Sequence, residues 1–200
     1  MSDVRALLLT DVVDSTKLFE ELGDVAAAAL WAEHDRAARD LLHSWRGREI
    51  DKTDGMLLLF DAASDAAAYA MAYHLALGSF NPPLRARAGL HVGAVILRAN
   101  SPQDVARGAK PLEVEGIAKA VAARVMSIAG GGQTLLSADA RSALGKTALR
   151  LESQGHWRMK GIAEPMELFE LGELEAPFAP PADAARLPTK QWLIHAEQFA

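Results

Sequence analysis

Short apolar runs alternate along this chain with longer segments whose apolar positions have helical spacing. Residues 4–10 form a continuous apolar run, which is typical of a strand buried on both faces. Residues 14–16 are good N-cap residues and predict a helix that ends before Gly23. Residues 25–45 then carry apolar side chains at helical spacing and predict a long amphipathic helix.

The next part of the chain has the pattern of a β-hairpin followed by a helix and another strand. Residues 48–53 and 56–60 predict two strands, and the Asp54-Gly55 pair between them predicts a tight turn. The alanine-rich residues 61–79 predict a helix, and the alternating residues 84–98 predict a strand.

The alternation continues towards the C-terminus. The pattern predicts a polar loop, a helix, a strand, a short helix and two strands, over residues 100–112, 115–129, 133–137, 139–144, 149–158 and 165–171. This order predicts an α/β fold, an α+β sandwich with a mixed sheet flanked by helices. Prolines then become frequent, so we expect one domain over residues 1–172 and a linker with a short tail over residues 173–200.

Composition narrows the classes of function. Half of the 200 residues are hydrophobic, which is enough to bury a substantial core. The net charge is −5 and the basic residues are scattered, which argues against a nucleic-acid binder. Cysteine is absent, and no apolar run approaches the ~20 residues that cross a membrane. We therefore expect a cytoplasmic protein that makes no direct membrane contact.

Two aspartates stand at strand ends and are the first candidates for chemistry. Asp11 follows the first apolar run, and Asp54 precedes another. Carboxylates brought together at strand ends can hold divalent metal ions that carry a nucleotide triphosphate. Each is also an ordinary turn residue, and Asp54-Gly55 is a common hairpin pair.

Five features in a fixed order give the chain a resemblance to a known family. They are Asp11, Asp54, the segment GIAKAVAAR at residues 116–124, the run GQTLLS at 132–137 and the triplet MKG at 159–161. Together they resemble the class III nucleotidyl cyclase catalytic domain over residues 4–171. The resemblance implies a ferredoxin-like core and a head-to-tail homodimer with its two active sites at the interface.

The resemblance also implies how metal and phosphates are held. Asp11, Asp54 and the backbone of Val12 would bind two Mn²⁺ or Mg²⁺ ions. The adjoining residues that would cradle the β and γ phosphates are Val13, Asp14, Ser15 and Thr16. Asp14 has a plain structural alternative, because aspartate commonly caps a helix.

Two cations complete the phosphate-handling set that the resemblance implies. Arg124 corresponds to the family's transition-state arginine, which reaches in from the second subunit, and Lys160 to a lysine that contacts the terminal phosphates. The planar donors of arginine match phosphoryl oxygens. A surface charge at Arg124 and a simple turn at Lys160-Gly161 are the structural alternatives.

The base-reading positions depart from the family pattern. Ile50 stands where adenylate cyclases hold a lysine, Glu113 where they hold an aspartate, and Ala120 where an asparagine orients the ribose. We expect Glu113 and Arg98 to offer an acceptor and a donor to a smaller base. If the turn before Asp54 is short, Lys52 takes the position assigned to Ile50.

Loss of purine-reading groups with retention of phosphate-handling groups resembles the pyrimidine cyclases of Pycsar antiphage defence. That resemblance implies conversion of UTP, ahead of CTP, to a cyclic monophosphate that activates a separate effector. Two alternatives stay open. An adenylate cyclase is favoured if Lys52 reads the base, and a catalytically inactive nucleotide-binding homologue is suggested by Ala120.

Overall fold

A computed structural model describes residues 2–175, 177, 178, 180 and 181. Strands and helices alternate in this part of the chain in the predicted order. Their bounds are Asp3–Val12 (β1), Ser15–Leu22 (α1), Asp24–Ser44 (α2), Arg48–Lys52 (β2), Met56–Phe60 (β3), Ala63–Gly78 (α3), Ala86–Ala99 (β4), Pro102–Ala106 (α4), Leu112–Glu115 (β5), Ile117–Ile128 (α5), Thr134–Ser137 (β6), Ala138–Leu144 (α6), Arg150–Trp157 (β7) and Met166–Gly172 (β8).

The strands form one mixed sheet with the order β2-β3-β1-β4-β6-β8-β7, and β5 pairs with β4 off this path. The β4–β6 pair is parallel, whereas β1 runs antiparallel to both β3 and β4. Because β1 lies inside the sheet, Leu7 and Leu8 are fully buried on its opposite faces. This double burial explains the unbroken apolar run at the N-terminus.

Helices cover both faces of the sheet. The cluster on one face contains Leu8 and Leu58 of the sheet with Ala38 of α2, Ala70 of α3 and Leu144 of α6. A second cluster, on the other face, joins sheet residues to α5, and its members include Leu7, Leu57, Ala118 and Ala122. The predicted α+β sandwich with a mixed sheet flanked by helices is confirmed.

The segment between β4 and α5 differs from the prediction of a polar loop. Residues Pro102–Ala106 form α4, whose first turn is capped because the Ser101 hydroxyl accepts a hydrogen bond from the Asp104 amide at 3.1 Å. Residues Leu112–Glu115 form β5, and α5 begins only at Ile117. Strand β5 is stabilised by pairing with β4, a contact distant enough in sequence that local pattern does not reveal it.

Most of the predicted linker and short tail over residues 173–200 lies outside the described residues. Among the helices in the described part, none is both long and apolar enough to cross a bilayer.

Candidate functional site

Asp11 and Asp54 meet at one edge of the sheet. Strands β1 and β3 pair antiparallel, with Leu9 opposite Leu57, so the end of β1 lies beside the turn that precedes β3. A Cβ on Gly55 would stand 1.7 Å from the carbonyl oxygen of Thr10. Only glycine permits this close approach, which sets Asp54 next to the end of β1.

The two aspartates line a shared cavity of about 740 Å³. The rest of its wall comes from the predicted phosphate loop, the first turns of α1 and an arginine of β4. These residues are Val12, Val13, Asp14, Ser15, Thr16, Lys17, Glu20 and Arg87. The structure thus brings together the residues that the sequence proposed for metal binding and for the phosphate loop.

The loop from β1 into α1 has a defined backbone. Asp14 adopts the left-handed conformation (φ 59°, ψ 25°) and occupies the N-cap position of α1, but its side chain makes no capping hydrogen bond. The amide of Val13 donates to the carbonyl of Arg85 at 2.9 Å, which ties the loop to the start of β4. The N-terminus of α1 therefore opens on the cavity wall, where its partial positive charge favours phosphate oxygens.

Arg87 is a functional candidate that the sequence reading missed. It lies opposite Asp11 in the β1–β4 ladder, and its Nε and Nη2 are 2.8 and 2.7 Å from Asp11 Oδ2. The available signal was a charged residue within the apolar pattern of β4, but its position opposite Asp11 depends on strand register. Arg87 adds a guanidinium to a cavity that otherwise presents mainly oxygen donors.

The carboxylates of the cavity have the chemistry that holds a divalent ion. Asp11 and Asp54 supply hard oxygen donors, the ligands that Mg²⁺ and Mn²⁺ prefer. Among the described residues, no group of three or more His, Cys, Asp or Glu forms a complete metal cage. Two carboxylates with substrate phosphates and water supply a typical magnesium–nucleotide coordination set.

A β-bulge in β2 changes which residues face α5. The register with β3 shifts between Glu49 and Asp51, so the predicted two-residue alternation fails there. Ile50 is only 6% exposed and packs with Leu57 and α5, so its side chain does not line the cavity that holds Asp11 and Asp54. In one copy of the chain Ile50 lies in the apolar layer against α5, and its role in base recognition stays a prediction.

The Lys52 ammonium group contacts α2, although Lys52 also lines a smaller cavity next to Asp11. It lies opposite Met56 in the β2–β3 ladder, and its Nζ is 2.9 Å from Oδ2 of Asp35 on α2. The turn between Lys52 and Met56 spans three residues, one more than the predicted Asp54-Gly55 pair, and the Lys52 ammonium group is held by a carboxylate.

A smaller cavity of about 180 Å³ lies beside the first and shares Asp11 with it. Asp51 and Lys119 line it, and Lys110 forms an ion pair with Asp51 at 2.5 Å. The hydrogen bond from Lys110 outweighs the effect of burial and lowers the pKa of Asp51. The sequence reading missed these charges because the bulge reverses the side on which Asp51 points.

The remaining base-reading candidates, Arg98 and Glu113, are opposite each other in the β4–β5 ladder. Arg98 donates to Asn100 Oδ1 at 2.6 Å and lies 3.6 Å from Glu115 Oε1. Neither Arg98 nor Glu113 lines either of the two cavities. Within one copy of the chain, both side chains belong to the charged end of the β4–β5 strand pair.

Arg124, Ala120 and Lys160 are all exposed. Ala120 lies one helical turn before Arg124 on α5, whereas Lys160 is in the turn between β7 and β8. These three residues are absent from the walls of both cavities around Asp11. Their contribution from a second copy of the chain stays a prediction.

Solved structures similar to this chain are cyclase domains. An adenylate cyclase from Trypanosoma brucei in its monomeric state shares 22% identity at a TM-score of 0.76, covering 90% of this chain and 94% of that chain. The adenylyl cyclase CyaB from P. aeruginosa shares 17% identity at 0.76, with coverages of 90% and 100%. The guanylate cyclase domain of RhGC from Catenaria anguillulae, in complex with GTP, shares 14% at 0.76, with 86% and 97%.

No protein-family model and no curated protein matches the sequence. The likeness to solved structures extends over nearly the whole described domain, and it includes the mixed sheet with helices on both faces. The chain therefore has the fold of the class III nucleotidyl cyclase catalytic domain.

Proposed function

We propose that the chain is a nucleotidyl cyclase that forms a 3',5'-cyclic nucleoside monophosphate and pyrophosphate from a nucleoside triphosphate. The observation that carries this proposal is the shared cavity in which Asp11, Asp54, the loop that follows β1 and Arg87 meet. In the reaction, the ribose 3'-oxygen bonds to the α-phosphorus, the bond from that phosphorus to the β-phosphate oxygen breaks, and the hydroxyl proton passes to water. Pyrophosphate leaves with the electron pair.

The negative residues of the cavity would hold the metal ion, and its positive groups and backbone amides would hold the phosphates. Asp11 and Asp54 would hold Mg²⁺ or Mn²⁺, which neutralises phosphate charge and favours ionisation of the 3'-hydroxyl. The N-terminus of α1 and the amides of residues 12–16 would orient the β and γ phosphates. Arg87 presents planar N–H donors to the same anionic group when the nucleotide displaces it from Asp11.

The proposal includes a head-to-tail homodimer. Arg124 would stabilise the transition state, and Lys160 would contact the terminal phosphates, both across an interface with a second copy. Their exposure in a single chain and their distance from the cavity walls support this assignment. A second copy would then complete the site that one copy leaves open.

For the base we propose a pyrimidine, with UTP ahead of CTP. The support is the loss of polar groups at the positions where adenylate cyclases read the purine and the ribose, because Ile50 is aliphatic and buried and Ala120 has no ribose-binding group, while Lys52 pairs with Asp35. The resemblance to Pycsar cyclases extends the proposal to cyclic UMP as a second messenger in antiphage defence, acting on a separate effector.

Incubation of the purified protein with ATP, GTP, CTP and UTP in Mn²⁺, followed by mass spectrometry of the products, tests the proposal. We expect cyclic UMP to dominate and Asp54→Asn to make none. Cyclic AMP as the main product would replace the pyrimidine assignment with an adenylate cyclase. Absence of any cyclic product, with identical behaviour of Asp54→Asn, would identify an inactive homologue.

A further inference from the structure

A buried chain of polar side chains runs beneath the turn that carries Asp54. His34 is 1% exposed, and its two ring nitrogens contact Asp35 Oδ1 at 3.0 Å and the Tyr73 hydroxyl at 2.7 Å. Asp35 Oδ2 also contacts the Lys52 ammonium at 2.9 Å. Helices α2 and α3 are thereby joined to strand β2 by polar contacts within a largely apolar layer.

The same network of polar side chains also reaches the other side of the Asp54 turn. Burial raises the pKa of the Tyr73 hydroxyl, and its interaction with the Thr10 hydroxyl opposes that rise. Thr10 Oγ1 in turn accepts from the Met56 amide at 3.2 Å. Lys52 and Met56 are cross-strand partners on either side of Asp54, so both ends of the turn are attached to one network.

One placement of the protons gives every hydrogen bond of this network a donor and an acceptor. Burial lowers the pKa of His34 against the opposing effect of Asp35, so the ring is neutral at pH 7. Since the Asp35 carboxylate only accepts, His34 carries its proton on Nδ1 and accepts from Tyr73 at Nε2. That arrangement frees the Tyr73 oxygen to accept from Thr10, and leaves Thr10 to accept from Met56.

We propose that His34 and Tyr73 are positioning residues that hold Thr10 and the Asp54 turn, and so set Asp54 beside Asp11. The metal-binding consequence rests on the proposed function. Neither ring lines the cavity that holds the two aspartates, so each acts through Thr10, Lys52 and Met56. The network is the counterpart, in this fold, of the outer hydrogen bonds that orient metal ligands.

Tyr73→Phe is the test, because it removes one hydroxyl and keeps the ring that stacks on Tyr69. Tyr69→Phe is the matched control, since Tyr69 is also fully buried on α3 but donates to the Ala38 carbonyl on α2. We expect Tyr73→Phe to increase amide exchange at Met56 by about tenfold and to leave exchange elsewhere in β3 unchanged. Tyr69→Phe should leave exchange at Met56 unchanged.

The functional readout is the Mn²⁺ concentration that gives half-maximal cyclase rate. We expect Tyr73→Phe to raise it about tenfold, with the nucleotide KM unchanged at saturating Mn²⁺. Tyr69→Phe should leave both values as in the wild type, even where its thermal midpoint falls equally. Equal shifts in the two variants would overturn the positioning role and leave only a general loss of stability.

Thr10 provides an independent check. Thr10→Val removes the acceptor for the Met56 amide, whereas Thr10→Ser keeps it, so serine should restore both Met56 protection and the Mn²⁺ dependence. If the wild type forms no cyclic product, the proposed function fails, but Met56 exchange still decides the positioning role. Unchanged Met56 exchange in Tyr73→Phe and Thr10→Val would overturn it.

Discussion

The guanidinium of Arg87 lies against the carboxylate of Asp11, with Nε and Nη2 both within 2.8 Å of Oδ2. The two residues are direct partners in the β1–β4 ladder, so strand register fixes the contact. A cation and a proposed metal ligand thus occupy the same wall of the cavity. In the proposed reaction, a metal ion at Asp11 would compete with this ion pair, and the arriving phosphates would replace Asp11 as the partner of Arg87.

Replacing Arg87 should separate metal binding from nucleotide binding. In Arg87→Met the positive charge beside Asp11 is lost, so Mn²⁺ should bind the nucleotide-free protein at least as tightly as it binds the wild type. The nucleotide KM should rise about tenfold because a charge-assisted contact is removed. Calorimetry with Mn²⁺ and steady-state kinetics give the two values.

Arg39→Gln is the control for that substitution, since Arg39 of α2 forms a comparable pair with Glu49 of β2, and neither residue lines the cavity. It should change neither Mn²⁺ affinity nor KM. A lower Mn²⁺ affinity in Arg87→Met with an unaltered KM would contradict the assigned role of Arg87.

Neutralising either cavity aspartate should abolish catalysis without unfolding the protein. Asp11→Asn and Asp54→Asn keep side-chain size but remove the negative charge that a divalent ion requires, so we expect the cyclase rate to fall at least about 100-fold. Asp40→Asn, an exposed substitution on α2, should retain the wild-type rate. Circular dichroism of all three variants checks the fold, and an active Asp54→Asn would remove Asp54 from the metal site.

Gly55→Ala should displace the Asp54 turn. Its Cβ would overlap the Thr10 carbonyl at 1.7 Å, so either the turn or β1 must move. We expect a lower thermal midpoint and a loss of activity close to that of Asp54→Asn. Gly78→Ala, at the end of α3 with no atom within 4 Å of the new Cβ, should keep full activity. Wild-type activity in Gly55→Ala would show that the close approach is dispensable.

His74, which is partly buried, should make the fold sensitive to acid. Burial, with a smaller effect of Arg85, lowers its pKa from 6.5 to about 4, and its Nε2 contacts Thr134 Oγ1 at 2.8 Å. The unfolded chain therefore binds this proton more readily, so stability is complete above pH 6.5 and falls as the pH decreases towards 4. The loss attributable to His74 is at most about 3 kcal/mol.

Urea unfolding at intervals between pH 7.5 and 4 measures that loss. His74→Gln should flatten the decline, while His43→Gln, an exposed histidine on α2, should leave the curve unchanged. Identical acid curves for the wild type and His74→Gln would assign the sensitivity to the other buried histidines, His34 and His91, whose pKa values burial also lowers.

Local sequence determined most of the secondary structure. The apolar run of β1, the Asp54-Gly55 turn and the helical spacing of α2 each depend on neighbours within a few residues, and each element forms where its pattern predicts. The proximity of Asp11 and Asp54 could also be predicted from the sequence. Both residues stand at strand ends, and the resemblance to the cyclase family implies that these ends meet. Their role as metal ligands does not follow from spacing alone and came from the resemblance to the cyclase family.

Only the tertiary structure decided where the other side chains point. The bulge between Glu49 and Asp51 buries Ile50 and turns Asp51 towards the second cavity. The regular alternation of side chains along a strand does not reveal where such an extra residue is inserted. Strand register set Arg87 against Asp11. The polar chain from Asp35 to Thr10 joins separate elements, so it exists only when the helices pack on the sheet, where burial requires every donor to find an acceptor.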